Sequence, residues 1–305
     1  MKLYPSYLEV YRSGELEPRI AALEKLLDEC TLCPRNCRVH RREGEEGVCK
    51  AGAGLKVSSA FPHFGEEPPL VGWGGSGTIF LTHCNLRCVF CQNFDISHEG
   101  KGEAVTAEEF ADLMIRLQHM GCHNINFVTP THYSAQIVSA LPLAIESGLQ
   151  LPIVWNCGGY ESLEVIRLLD GIVDIYMPDI KYSEDLYSKK YSRAPGYFDV
   201  AKAALKEIYR QVGNLEVDAR GIAKRGLLIR HLVMPGGVAG TEKVMKFIAE
   251  ELSIECYVNI MDQYHPCYQA ERFPEINRRI TSEEYSEAIT SAKSFGLHRG
   301  FQSIQ

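Results

Sequence analysis

The stretch Thr78-Ile79-Phe80-Leu81-Thr82-His83-Cys84-Asn85-Leu86-Arg87-Cys88-Val89-Phe90-Cys91 joins an apolar run to three closely spaced cysteines. Thr78 to Leu81 suits a strand buried on both faces, which puts the cysteines on the loop leaving its C-terminal end. In α/β folds, ligands and chemistry collect at that edge. Thiolates are soft ligands that favour zinc or iron–sulfur clusters. A cubane has four irons, so three cysteines leave one iron open to a substrate or cofactor, as a catalytic zinc keeps one open position. The bland alternative is a zinc knot completed by His83 or His98.

Beyond Cys91 the chain alternates strand and helix patterns, which predicts a parallel sheet. Strands are expected at Thr78–Leu81, Asn124–Thr129, Leu151–Trp155, Val173–Met177, Leu227–Val233 and Cys256–Met261. Helices are expected at Thr106–Met120, Ser134–Ser147, Ser162–Leu169, Tyr197–Val212, Glu242–Leu252 and Ser282–Phe295. Thr106 stands three residues before Glu109, a capping-box pattern. Right-handed crossovers curl such units into an incomplete barrel. Its strand ends carry Thr129, Thr131, His132, Asn156, Cys157, Asp179, Lys181, Arg230, His231, Asn259 and the run Asp262 to His265, all converging on one mouth. Cys157 and Cys267 are candidates to face it; Cys122 and Cys256 read as core.

Upstream, an amphipathic helix is expected from Glu17 to Glu29, followed by Cys30, Cys33, Cys37 and Cys49 with gaps of two, three and eleven residues. So short a loop, rich in turn formers and charge, cannot bury enough apolar surface to fold without a bound metal. Four thiolates close a zinc site or hold an auxiliary iron–sulfur cluster equally well. The Gly/Pro-rich stretch from Phe61 to Gly77 reads as a join, or as a segment wrapping the mouth. The expected division is a helix and Cys-rich metal module at 1–70 and a barrel with its C-terminal helix at 71–305.

With Lys+Arg 32 against Asp+Glu 39, the net charge is −7, which gives no global signal for nucleic-acid or lipid binding. No segment is apolar for the roughly 18 residues of a membrane helix. Eleven cysteines, mostly at metal-like spacing, suit reduced thiols, and the start lacks the apolar region of a secretory signal, so a cytoplasmic location is expected.

Cys84, Cys88, Phe90 and Cys91 match the CxxxCx(aromatic)C signature of the radical S-adenosylmethionine (SAM) superfamily. Within it the chain resembles the iron–sulfur group related to pyruvate formate-lyase activating enzyme, which shows the same Cys-x-x-Cys-Pro-Arg pattern upstream. The resemblance implies an α/β fold, a partial (β/α)6 TIM-like barrel of the radical SAM type. It also implies a [4Fe-4S] cluster whose open iron chelates SAM. Cluster reduction would yield methionine and a 5′-deoxyadenosyl radical that abstracts hydrogen from a substrate.

Asp179-Ile180-Lys181 resembles an Asp-x-Lys motif, which implies SAM contacts for Asp179 and Lys181; His231 and Asn156 are further candidates, as is Phe90 in the motif itself. Many members carry Gly-Gly-Glu after the second strand, whereas this chain has Thr129-Pro130-Thr131-His132, which leaves the SAM amino group open between oxygens of Thr129 or Thr131 and nearby backbone carbonyls. The implied partner is a one-electron donor of flavodoxin or ferredoxin type. The substrate is open between a protein, such as a glycyl radical enzyme, and a small molecule. Residues 183–197 and 264–273 are candidate substrate-facing segments. The reading from another class is a non-catalytic scaffold with two zinc knots.

Overall fold

The computed structural model describes residues 3–301. Two short helices come first, α1 (Tyr7–Arg12) and α2 (Leu16–Lys25). The second stops at Lys25 rather than Glu29, because the chain then turns so that the Cys30 N–H reaches Val39 O at 3.0 Å. The cysteine loop leads into β1 (Leu55–His63), α3 (Pro68–Val71) and β2 (Ser76–Leu81). Then follow α4 (Phe94–Ser97), β3 (Glu103–Val105), α5 (Ala107–His119), β4 (Ile125–Val128) and α6 (Ser134–Glu146). The second half holds β5 (Ile153–Cys157), α7 (Leu163–Leu168), β6 (Ile175–Pro178), α8 (Asp185–Ser192), α9 (Tyr197–Val212) and β7 (Glu216–Val217). The chain closes with β8 (Ala223–Leu232), α10 (Thr241–Phe247), β9 (Tyr257–Met261) and α11 (Ser282–Ser294).

Six strands run parallel in the order β2-β4-β5-β6-β8-β9, and each is followed by helix, giving the six expected β/α units. The sheet is not closed: β1 lies antiparallel on β2 and β3 on β1 at one edge, while β9 ends the other. This is a mixed α/β partial barrel. The Thr106–Glu109 capping box is present, and Thr281–Glu284 forms a second at α11. Each satisfies N–H groups that the first helical turn leaves unpaired.

Two expectations shift. The strand expected at 151–155 runs instead as β5 over 153–157, because Pro152 cannot donate to the ladder. The segment read as a join contains the end of β1, where Pro62 sits opposite Gly77 on an edge-side strand. The barrel floor is apolar, with Leu70 of α3 packed on Val154, Ile175, Met177 and Leu228. The larger core lies between the sheet and the helices, and it also contains Leu32, Cys49 and Ala51 of the cysteine loop.

Candidate functional site

The loop leaving β2 is held by backbone bonds from distant elements. Arg87 N–H donates to Ser192 O at 3.1 Å and Val89 N–H to Tyr191 O at 2.8 Å, both at the end of α8. Gln269 N–H donates to Val89 O at 2.8 Å. The segments 183–197 and 264–273 therefore brace the cysteine loop, and Tyr264 and His265 of the second also line the cavity beside it. Each thiol has its own neighbour: Leu86 N–H donates to Cys84 Sγ at 3.3 Å, Ser192 Oγ lies 2.9 Å from Cys88 Sγ, and Ser97 Oγ lies 3.1 Å from Cys91 Sγ. All three cysteines are free thiols.

Cys88, Phe90 and Cys91 line a cavity of about 400 Å³ inside the barrel, opposite Asn156, Asp179, Lys181 and Arg230. Phe90 packs edge-on to Tyr264 (5.8 Å) and Tyr182 (6.5 Å), which shields the cluster loop from water. Arg230 Nε donates to Asp179 Oδ1 at 2.8 Å, and its Nη2 donates to Asn156 Oδ1 at 2.7 Å. Lys181 Nζ pairs with the other oxygen of Asp179. Burial alone would raise the Asp179 carboxyl, but Arg230 and Lys181 hold it below the usual carboxylate value. Burial likewise works against the Lys181 ammonium, yet Asp179 and Cys88 keep it above its ordinary value. Burial pushes the Cys88 thiol up to about 11, with Lys181 opposing.

The stretch before β2 adds acidic groups that spacing did not single out. Glu66 lies 3.6 Å from Arg230 Nη1 and 3.7 Å from His63 Nδ1, and all three line the cavity. Burial raises Glu66 to about 7, with Arg230 opposing and Glu67 adding to the rise. Glu67 accepts from Asn259 Nδ2 at 2.9 Å. A Gly/Pro-rich sequence carries no periodic signal that would place two carboxyls inside a barrel.

Other predicted residues go elsewhere. His231 is fully buried, but its Nδ1 contacts Ile180 O at 2.7 Å and its Nε2 contacts Thr241 Oγ1 at 2.9 Å. Arg230 and Leu232 face the cavity, so the residue between them points to the helix layer, and His231 positions the 179–181 loop instead of lining the site. By the same alternation Asn156 faces in while Trp155 and Cys157 face out. Thr131 donates to Glu161 Oε1 at 2.7 Å, and neither it nor Thr129 lines the cavity. His83 and His98 do not line it either. Gly159 has φ +74°, and a Cβ there would stand 2.2 Å from Asp179 O; the glycine lets the two strand ends approach.

The upstream cysteine segment reaches this loop through Arg35, whose Nε donates to Asn85 O at 2.8 Å. Cys30, Cys33 and Cys49 are buried and Cys37 is partly so. Buried Arg41 fastens the module by donating to His132 O at 2.7 Å and to Gly52 O, with its guanidinium over Tyr133. No group of three or more His, Cys, Asp or Glu among the described residues is arranged to hold a single metal ion. A larger groove of about 850 Å³ lies between α10 and α11, but Glu242, Glu283, Glu284 and Glu287 line it without any cysteine.

A three-cysteine loop at the C-terminal end of an open parallel barrel, facing paired charges across one cavity, defines a cluster-dependent enzyme class. A family profile described as the radical SAM superfamily matches residues 78–248. The chain is 33% identical over 300 residues to the uncharacterized protein MJ0674 of Methanocaldococcus jannaschii, covering 95% of this chain and 82% of that one. It is 26% identical over 294 residues to MJ0808 of the same organism, covering 86% of this chain and 80% of the other. Among solved structures it resembles HydG, a maturase of the [FeFe]-hydrogenase, with TM-score 0.50 and 12% identity over 73% of this chain. It spans 50% of that chain's length, and the likeness concerns the fold alone.

The chain belongs to the radical SAM superfamily. Membership implies a [4Fe-4S] cluster and SAM, and the donors fit: three free cysteines on one braced loop, two of them open to a cavity that also holds a buried carboxylate and two cations.

Proposed function

We propose that this protein is a radical SAM oxidoreductase of the activating-enzyme kind, acting at the cavity between Cys84, Cys88, Cys91 and the Asp179–Lys181–Arg230 group. Its support is that two of the motif cysteines, Cys88 and Cys91, and the Asp-x-Lys residues, 88 positions apart at Cys91 and Asp179, line one cavity. Held by Cys84, Cys88 and Cys91, a bound cluster would supply the one-electron reduction of SAM from which hydrogen-atom abstraction follows.

The chain's own residues hold and orient. Cys84, Cys88 and Cys91 would ligate three irons. Lys181, between Asp179 and Cys88, would pair with the methionine carboxylate, and Asp179 would accept ribose hydroxyls. Phe90, Tyr182 and Tyr264 exclude water from the cluster loop. The SAM amino group would be met by cavity acceptors, of which Asn156 Oδ1 and Glu66 are present, rather than by Thr131. A low-potential flavodoxin- or ferredoxin-like donor would supply the electron, in the cytoplasm. Residues 1–70 would form a metal-binding module holding zinc or a second cluster, and residues 71–305 the radical domain. The substrate class we favour is a protein loop, because the sheet stays unclosed, with β3 at one edge and β9 at the other; a glycyl radical enzyme is one such substrate.

The test is anaerobic reconstitution followed by analysis of 5′-deoxyadenosine. We expect dithionite-dependent product from the native chain and none from the C84A/C88A/C91A variant. A reconstituted protein that carries only zinc and leaves SAM intact would instead establish the two-zinc scaffold. Transfer of deuterium from labelled peptide glycine, or from a labelled small molecule, into 5′-deoxyadenosine would identify the substrate.

A further inference from the structure

The groove of about 850 Å³ between α10 and α11 sets carboxylates above an apolar floor. Glu283, Glu287 and Ser291 stand four residues apart on α11, an interval that puts them on one face of a helix, and all three line the groove. Glu242 lines it from the first turn of α10. Val233, Met234 and Ala288, each almost fully buried, form the floor. Two of the lining acids are already engaged: Glu284 accepts from Arg278 Nη2 and from the Gly236 N–H, both at 2.7 Å, and Glu184 pairs with Lys243. Among the described residues no ion pair reaches Glu242, Glu283 or Glu287.

Acids in a first helical turn complement the helix dipole, which accounts for Glu242 and Glu283. Glu287 lies beyond that turn and, four residues from Glu283, repels it, so folding gains nothing from the pair. Buried hydroxyls point the same way. Ser183 is 9% exposed and lines the groove, and its hydroxyl has no hydrogen-bond partner among the described residues. Gly240 makes room for it, since a Cβ there would stand 1.8 Å from Ser183 Oγ. On the α11 wall the buried Oγ of Ser291 is unpartnered as well. An unpaired buried hydroxyl is costly, and a donor on a ligand would relieve it. The groove also adjoins the radical cavity: Lys181 and Leu232 line the cavity, while Ser183 and Val233 line the groove.

We propose that this groove docks a lysine- or arginine-bearing segment of the protein on which the enzyme acts. That the docked chain is the substrate rests on the function proposed above; that the groove binds a basic peptide does not. Lysine and arginine lay their aliphatic stems along apolar surface and keep the charged head at a polar rim, which is the arrangement of Val233 and Met234 beneath Glu242, Glu283 and Glu287. Ser183 and Ser291 accept N–H groups of the same segment. The volume lies toward the upper end of the roughly 300–1,000 Å³ of ligand pockets, which suits several residues rather than a single amine. A segment held there keeps the rest of its chain near the cavity mouth and raises its effective concentration.

Binding is read by fluorescence anisotropy, with a fluorescein-labelled octapeptide of alternating lysine and alanine and the full chain reconstituted anaerobically, without reductant. We expect saturable binding that weakens about tenfold in Glu242→Gln/Glu283→Gln/Glu287→Gln, as three rim ion pairs of modest strength imply. Glu9→Gln/Glu17→Gln/Glu108→Gln removes the same charge from exposed sites elsewhere and should bind as the native chain does. Ser183→Ala should weaken binding about threefold while its thermal midpoint stays at or above the native one, a split that a purely structural serine would not give. Equal losses in the two triple variants would make the attraction a matter of net charge. Displacement of the peptide by an equal concentration of spermidine would make the groove a site for a small polyamine. Either result overturns the proposal. No turnover is needed, so a chain that binds the peptide as expected but leaves SAM intact overturns the radical chemistry and not the groove.

Discussion

Asp179 is a carboxylate between two cations, and its removal should be felt twice. Asp179→Asn leaves Arg230 and Lys181 buried without their shared counter-charge, which costs about 3–5 kcal/mol when a buried pair is broken. We expect a urea midpoint well below that of the native chain, and SAM binding weakened at least about tenfold by equilibrium dialysis, as follows from losing a charged acceptor. Native-like affinity would remove Asp179 from the SAM site. Glu161 is a different kind of buried acid. Thr131 donates to Oε1, while Oε2 has no partner. Burial raises it from 4.5 to about 7, against the Thr131 hydrogen bond that lowers it. The folded state therefore keeps a proton that the unfolded chain has released. Its stabilising contribution is complete below pH 4.5 and is lost as pH rises through about 7, a swing of about 3 kcal/mol at 1.36 kcal/mol per pKa unit. Urea unfolding of native chain and Glu161→Gln at pH 5 and pH 8 should show the steeper decline in the native chain; parallel declines would contradict the buried acid.

Elements meet at two fastenings. Gly159, after β5, lies against the carbonyl of Asp179, after β6, and Gly159→Ala would push that loop away. SAM affinity should fall while iron content stays native, because the cysteines lie on another strand's loop; a variant with normal SAM binding would mean the loop yields freely. Arg41 links the cysteine loop to the segment after β4. Arg41→Ala leaves His132 O and Gly52 O without their charged donor, and removing a hydrogen bond to a charged group costs about 1.5–3 kcal/mol. Thermal denaturation should show that loss together with faster proteolysis between residues 30 and 54.

At the scale of the whole molecule, the cysteine loop and the barrel share one core, since Leu32, Cys49 and Ala51 pack in the same cluster as Trp155 and Tyr133. Calorimetry of the holo-protein should therefore show one transition, and stripping the metals should lower its midpoint by several degrees, as loss of a ligand bound only to the folded state requires. A barrel transition indifferent to metal would separate the two parts. No helix among the described residues is long and apolar enough to cross a membrane.

Local chemistry fixed much of this protein in advance. Cysteine spacing named the cluster loop, hydrophobic alternation gave six β/α units, and the Thr106–Glu109 pair marked a helix start. These depend on residues within a few positions of one another, where periodicity and capping act. Tertiary structure alone decided which strand-end residues face the cavity. Arg230 and His231 are neighbours in sequence, and the two-residue period of a strand admits one and turns the other away. It also brought in Glu66 from a stretch without periodicity, and it laid Arg35 across 50 positions onto Asn85. Contacts over such distances follow from how the layers pack, which no short window of sequence encodes.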